Sequence, residues 1–177
     1  MTHRQRLPTR WLMTDERLGA RLSNAIARLP DGGGIVFRHY GLVPAQRRTL
    51  FDRAKAAARD RGLMILLAGP AQEAQAWGAD GSHGRGGGAG LRTAPAHDLA
   101  EIRAAEQAGA ALVFLSPVFE TRSHPGAATL GPERFARLAA QTTLPVVALG
   151  GMTEDRFTLL NGAYGWAGID AWNSSPS

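Results

Sequence analysis

Two polar clusters in this chain lie where apolar runs end. After Ala111-Leu112-Val113-Phe114-Leu115 come Ser116, Glu120, Thr121, Arg122, Ser123 and His124, with Pro117 and Pro125-Gly126 as turn formers. After Pro145-Val146-Val147-Ala148-Leu149 come Gly150, Gly151, Met152 and Thr153. Hydroxyls and cations in one loop can hold an anion and move a proton. A glycine pair ahead of a helix start lets backbone amides approach a phosphate closely. Further candidates sit at the ends of other apolar runs: Asp15, Arg38, His39, His83 and His97.

The elements that must place these residues alternate along the chain. Trp11 to Thr14 is predicted as a buried strand, with a helix from Asp15 through Leu29. Gly33 to Arg38 is a second strand, and Pro44 starts a helix reaching Arg59. Leu63 to Leu67 is a third strand, followed by a short helix over Gln72 to Trp77. Ser82-His83 and Leu91 to Ala94 are weaker strands on either side of a glycine-dominated loop, Gly84 to Gly90. Asp98 and Glu101 have capping-box spacing for a helix that runs to Gln107 and stops at Gly109. The strong strand at Ala111 to Leu115 leads to a helix over Pro132 to Gln141. After the strand at Val146 to Leu149, Thr153 caps a helix ending near Gly162, and Trp166 to Ile169 is the last strand. Eight strands with seven helices predict a closed (β/α)8 barrel, trimmed and lacking a full last helix; an open doubly wound sheet is the alternative. Residues 1–9 are expected to be a flexible lead-in to a single domain over 10–172. The flank of the first and last strands needs covering, by the N-terminal segment or by a second copy in a homodimer.

Composition narrows the function classes. The chain has 177 residues, 44% hydrophobic and 20% charged, enough for one domain with a sizeable core. It contains no cysteine, so disulfides and thiolate catalysis are excluded. No apolar run reaches the about 18 residues of a membrane span. The N-terminus has no apolar signal region, and a cytoplasmic protein is expected. The net charge of +5 comes almost wholly from arginine, Lys55 being the sole lysine. That balance favours an anionic partner. The arginines are scattered without an aromatic-interleaved stripe, so a small phosphorylated ligand is expected rather than nucleic acid.

The run Ser116-Pro117-Val118-Phe119-Glu120-Thr121-Arg122-Ser123-His124-Pro125-Gly126, then Leu130-Gly131, then Pro145 to Met152, resembles the thiamine phosphate synthase/TenI family. Trp11-Leu12-Met13-Thr14-Asp15, Gly78-Ala79-Asp80-Gly81-Ser82-His83 and Gly162-Ala163-Tyr164-Gly165 extend the resemblance over most of the chain. It implies a barrel that joins an aminopyrimidine diphosphate to a thiazole phosphate and releases pyrophosphate. In that picture Gly150, Gly151 and Ser116 contact the phosphorylated substrate. Thr121, Ser123, His124 and His97 face the reacting centre, and Arg38 receives a second anionic group. Magnesium is the cofactor that the resemblance implies.

This sequence departs from that pattern on one side. The positions flanking Arg38 in the diphosphate motif are Val36 and Tyr40, in place of glutamine and lysine. Where magnesium aspartates are implied stand Ala68-Gly69 and the stretch Gly84 to Gly88, so no metal site is expected. Pro117 stands where the TenI branch carries its histidine, and Asp170 where a phosphate-contacting serine is implied. A non-catalytic binding protein or a thiazole tautomerase relative is therefore the alternative function. Plainer roles also stay open. Gly150-Gly151 fits a tight turn, Arg38 a partner for a nearby acid, Asp15 a helix cap, His83 a packing or hydrogen-bonding side chain, and His39 a solvated one.

Overall fold

The computed structural model describes residues 6–122, 125–126 and 128–172. Eight parallel strands close into a barrel in sequence order: β1 (Arg10–Met13), β2 (Gly34–Phe37), β3 (Met64–Ala68), β4 (Gly81–His83), β5 (Leu91–Ala96), β6 (Leu112–Leu115), β7 (Val146–Leu149) and β8 (Gly165–Gly168). The helices are α1 (Leu22–Arg28), α2 (Pro44–Asp60), α3 (Ala71–Trp77), α4 (Leu99–Gln107), α5 (Gly131–Ala139) and α6 (Glu154–Phe157). The (β/α)8 expectation is met. Among the described residues no helix is long and apolar enough to cross a membrane.

Strand alternation builds two layers. Trp11, Met13, Val36, Leu66, Leu112, Phe114 and Val147 fill the barrel interior. Their neighbours in sequence face outward. Leu12, Ile35, Ile65 and Leu67 pack under α1 and α2, while Val113, Leu115, Val146 and Ala148 pack under α4 and α5. The indole of Trp11 meets Phe114 edge-on at 5.3 Å between ring centres. It lies across Gly34, its register partner, where an added Cβ would sit 2.3 Å from the ring. A narrow barrel holds tryptophan only because the facing position has no side chain.

Two predicted helices come out differently. The first is split into a 3-10 turn at Glu16–Arg21 and α1, with Gly19 at φ +47° inside the turn. The one expected to reach Gly162 is the four-residue α6. A predicted lead-in through residue 9 is tied down from Leu7. Tyr164 donates to the Leu7 carbonyl at 2.6 Å, the Trp11 indole to Pro8 O at 2.8 Å, and the Trp166 amide to Thr9 O at 2.9 Å.

The β1–β8 flank is covered from within the chain. A 3-10 turn at Asp170–Trp172 brings Trp172 flat onto Trp166, at 4.8 Å and 4°. The Trp172 indole donates to Trp11 O at 2.9 Å and its ring touches both outer layers. Arg10 and the Trp166 indole both bond Glu154. One aromatic side chain thus covers the β1–β8 joint. Trp172→Ala is expected to lower unfolding free energy by about 3 kcal/mol in a urea titration. Trp172→Phe, which keeps the stack and loses the indole hydrogen bond, should cost about 1 kcal/mol.

Candidate active site at the C-terminal rim

The chemistry-bearing side chains converge on the C-terminal ends of the strands, because each was placed immediately after an apolar run in a parallel barrel. Two halves of this rim differ in character.

The half over β5, β6 and β7 is a hydrogen-bonded loop against a glycine turn. Val118 N donates to Leu149 O at 2.9 Å and Phe119 N to Gly150 O at 3.1 Å, which clamps the loop after β6 onto the end of β7. Contact is so close that a Cβ at Gly150 would lie 2.8 Å from Pro117 Cα, and one at Gly151 2.3 Å from Glu120 O. Both glycines have positive φ, 101° and 60°. The amides of Gly150 and Gly151 have no acceptor among the described residues. The Gly151 carbonyl is taken by Arg156 at 2.5 Å. Helix α6 contributes little dipole at its length, and Thr153 Oγ1 already accepts the Arg156 amide at 3.2 Å. An anion here would be held by the glycine amides rather than by a helix end.

Beside them, the exposed His97 is fixed by its surroundings. Its Nδ1 lies 2.8 Å from the Ser116 carbonyl, and its own amide donates to Glu101 at 2.8 Å. A carbonyl only accepts, so Nδ1 carries the proton and Nε2 keeps a free lone pair. Ser116 Oγ is 3.4 Å from the same ring nitrogen. The structure therefore brings His97, Ser116, Gly150 and Gly151 to one side, with the half-buried Thr121 on the same loop. Ser123 and His124 lie outside the described residues.

The half over β1 to β4 is an arginine-braced wall. Arg38 donates through Nε to Thr14 O at 2.8 Å and pairs with Asp15 at 3.3 Å. Burial lowers its pKa, and Asp15 offsets that. Asp15 also caps the 3-10 turn, accepting from the Arg17 amide at 3.0 Å, and holds the Arg17 guanidinium at 2.8 Å. Arg47, which reads in sequence as one more helix-surface cation, reaches up from α2. It donates to Arg38 O at 2.9 Å and Ala68 O at 2.6 Å, with Glu73 at 3.7 Å. That guanidinium ties the ends of β2 and β3 together. Asp170, near the end of β8, raises the pKa of Arg17 from a distance, less than Asp15 does through its direct bond.

The histidines on this side are interior. His39, predicted to be solvated, is only 3% exposed: it stacks on Phe37 at 4.7 Å and bonds Thr14 Oγ1 at 3.0 Å. Its φ of 43° turns the ring inward, which no local sequence signal announces. His83 lies against Phe114 at 5.2 Å and bonds Thr93 Oγ1 at 2.9 Å, a hydrogen-bonding role in line with the plainer reading. Burial, reinforced by the Arg38 charge, pushes the His83 imidazole down to about 3.

Magnesium would need carboxylate oxygens in an octahedral set. Among the described residues no three histidine, aspartate or glutamate side chains come together to hold an ion. The rim carbonyls of Arg38 and Ala68 already accept a guanidinium. The donors at this position do not suit the metal that the resemblance implies.

The family model described as thiamine monophosphate synthase matches residues 11–172. The chain belongs to the thiamine monophosphate synthase family. A thiamine-phosphate synthase from Methanoregula boonei is 32% identical over 165 residues, 82% of this chain and 75% of that one. A putative thiamine-phosphate synthase 2 from Aquifex aeolicus is 42% identical over 76 residues, and this match spans 42% of the chain and 41% of the relative's length. The solved thiamine phosphate pyrophosphorylase from Pyrococcus furiosus superimposes with a TM-score of 0.78 at 20% identity, over 97% of this chain and 90% of that one. That likeness supports the fold.

The buried histidines make the family barrel acid-sensitive. An unfolded imidazole titrates near 6.5. Folded His83 titrates near 3, so below about 6.5 the unfolded chain binds more protons. Stability is therefore full above that pH and falls as pH drops toward 3, by up to about 1.4 kcal/mol per pH unit from this group. His39 acts in the same direction, since burial lowers its pKa too. Urea titrations of His83→Gln between pH 7 and pH 4 are expected to show a shallower loss than the parent chain.

Proposed function

We propose that this protein is a thiamine-biosynthesis protein that binds a thiazole phosphate or a similar phosphorylated heterocycle, with the phosphate on the amides of Gly150 and Gly151. What carries this reading is the pair of amides without an acceptor among the described residues, beside a loop whose sequence resembles the family's. Amides held in place by a clamped turn bind an anion without ordering cost. Ser116, Thr121, Ser123 and His124 would surround the heterocycle, and the edge of Arg38 facing the barrel mouth would meet a second polar group.

Transfer of an aminopyrimidine with loss of pyrophosphate is the reaction least supported. A departing diphosphate needs charge compensation. On the β1–β4 side the guanidinium of Arg47 is taken by backbone carbonyls and that of Arg38 by Asp15. A metal-free proton transfer on the bound thiazole is the second reading, favoured by His97, whose Nε2 is held as the unprotonated nitrogen. As general base it would take a ring-carbon proton and return it to the isomeric position. The partners in this reading are small molecules in the cytoplasm, with neither nucleic acid nor membrane, and a homodimer remains an open expectation.

Two measurements test it. Thiazole phosphate added to the 15N-labelled protein is expected to shift the Gly150 and Gly151 amides first. Subsequent aminopyrimidine diphosphate with magnesium should release no pyrophosphate above the uncatalysed rate; turnover would overturn this reading. For the second, deuterium exchange into the bound thiazole should fall by about a hundredfold in His97→Asn while phosphate affinity stays within about twofold.

A further inference from the structure

Beside the glycine turn stands a cation that no acidic group claims. Arg156 lies on α6 and reaches back along the turn, where its Nη1 donates to Gly151 O at 2.5 Å. Its guanidinium carbon lies 4.9 Å from the centre of the Phe119 ring. Phe119 belongs to the loop after β6, and its amide donates to Gly150 O at 3.1 Å. A Cβ at Gly151 would lie 3.0 Å from Arg156 Nη1 and 3.1 Å from Phe119 Cβ, so turn, ring and guanidinium meet at one point. A planar cation seated on a ring and bonded to a carbonyl has already given up much of its rotamer freedom, so binding costs it little further order.

Other arginines around the rim are spent. Arg17 and Arg38 share Asp15, Arg47 bonds Arg38 O and Ala68 O, and Arg85 pairs with Glu101. Arg156 forms no ion pair among the described residues, and its Nε and Nη2 have no acceptor there. Its neighbour Glu154 is turned away, held by Arg10 and the Trp166 indole. One carbonyl occupies one of the guanidinium N–H groups and leaves the rest of the fork to bind. Two backbone amides alone can hold any small anion or polar oxygen. A full positive charge at the same turn changes what is preferred. It favours a phosphate monoester, which carries roughly two negative charges at neutral pH and offers three acceptor oxygens.

We infer that Arg156 is a specificity-determining residue of the phosphate site. Its open guanidinium edge takes an oxygen of the phosphate that sits on the Gly150 and Gly151 amides. The site thereby selects a phosphorylated heterocycle over the same heterocycle with a free hydroxyl. The inference rests on the phosphate reading above and adds the side chain that makes the charge of the ligand count. Because Arg156 is exposed, salt weakens this selection.

The test uses the full chain labelled with 15N, with thiazole phosphate and the unphosphorylated thiazole alcohol as probes. The Arg156 Nε–H signal, assigned by its loss in Arg156→Gln, is expected to move with thiazole phosphate and to stay in place with the alcohol. Arg156→Gln should bind thiazole phosphate about tenfold more weakly, the loss of one charge-assisted hydrogen bond, with affinity for the alcohol within about twofold of the parent chain. Arg156→Lys, which keeps the charge and loses the fork, should fall between the two. The inference is overturned if the preference for phosphate over alcohol is the same in Arg156→Gln as in the parent, including the case where both ligands weaken alike because Arg156 only braces the turn. Glycine amides that move with thiazole phosphate while the Arg156 signal stays would also sink it, and would leave the phosphate reading standing. An Arg156 signal that moves while the Gly150 and Gly151 amides stay would overturn that reading instead.

Discussion

Closing eight parallel strands into a ring is the constraint on which the other features rest. β1 must pair with β8, Trp11 against Ala167, while an aromatic lid shields the joint from outside. Trp11 serves this closure twice: its ring fills the interior against Phe114 and its carbonyl receives the Trp172 indole. If that joint opened, the ends of β1 and β8 would separate, and Asp15 and Arg38 would lose their positions. The rim is thus a consequence of closure, since the strand ends define its circle.

On that circle the two sides have been built by different physics. Over β7 the backbone itself presents the polar groups, because glycine allows the turn to press against the loop after β6 while its amides have no acceptor among the described residues. Over β2 and β3 the rim's polar groups satisfy one another. Arg47 bonds the carbonyls of Arg38 and Ala68, and Arg38 bonds Thr14 and Asp15. A guanidinium in such a brace stiffens the wall and has little left to offer an anion. This barrel has a turn with unbonded glycine amides on one side and a wall whose polar groups bond one another on the other.

The sequence carried the strands and the barrel because buried parallel strands leave uninterrupted apolar runs with glycine or polar residues at their ends. Even the weak Ser82-His83 strand was placed, by its position between two turns. What it did not carry were outcomes decided by distant contacts. His39 follows a strand and precedes Tyr40 and Gly41, a setting that reads as solvent; the inward turn and the bond to Thr14 depend on β1. Arg47 sits on a helix where its spacing reads as surface, and only the height of α2 against β2 and β3 reveals its carbonyl partners. The helix after Thr153 stops at Phe157 although Thr153 caps it, the chain going over to tighter turns in which Thr158 N donates to Asp155 O at 3.2 Å and Leu159 N to Arg156 O at 3.2 Å. Glu101 looked like the second half of a capping box. Its amide does bond Asp98, but its carboxylate bonds the His97 amide and Arg85, so a local motif became part of the rim.

The central claim is that one side of the rim binds phosphate through backbone amides and the other side binds no metal. A crystal grown with thiazole phosphate and manganese tests both parts at once, manganese being a magnesium substitute that scatters anomalously. The account predicts phosphate density on the Gly150 and Gly151 amides and no anomalous peak over β3 and β4. An anomalous peak beside Gly69 or Gly84, or phosphate seated against Arg38 and Arg47 with the glycine turn empty, would contradict it.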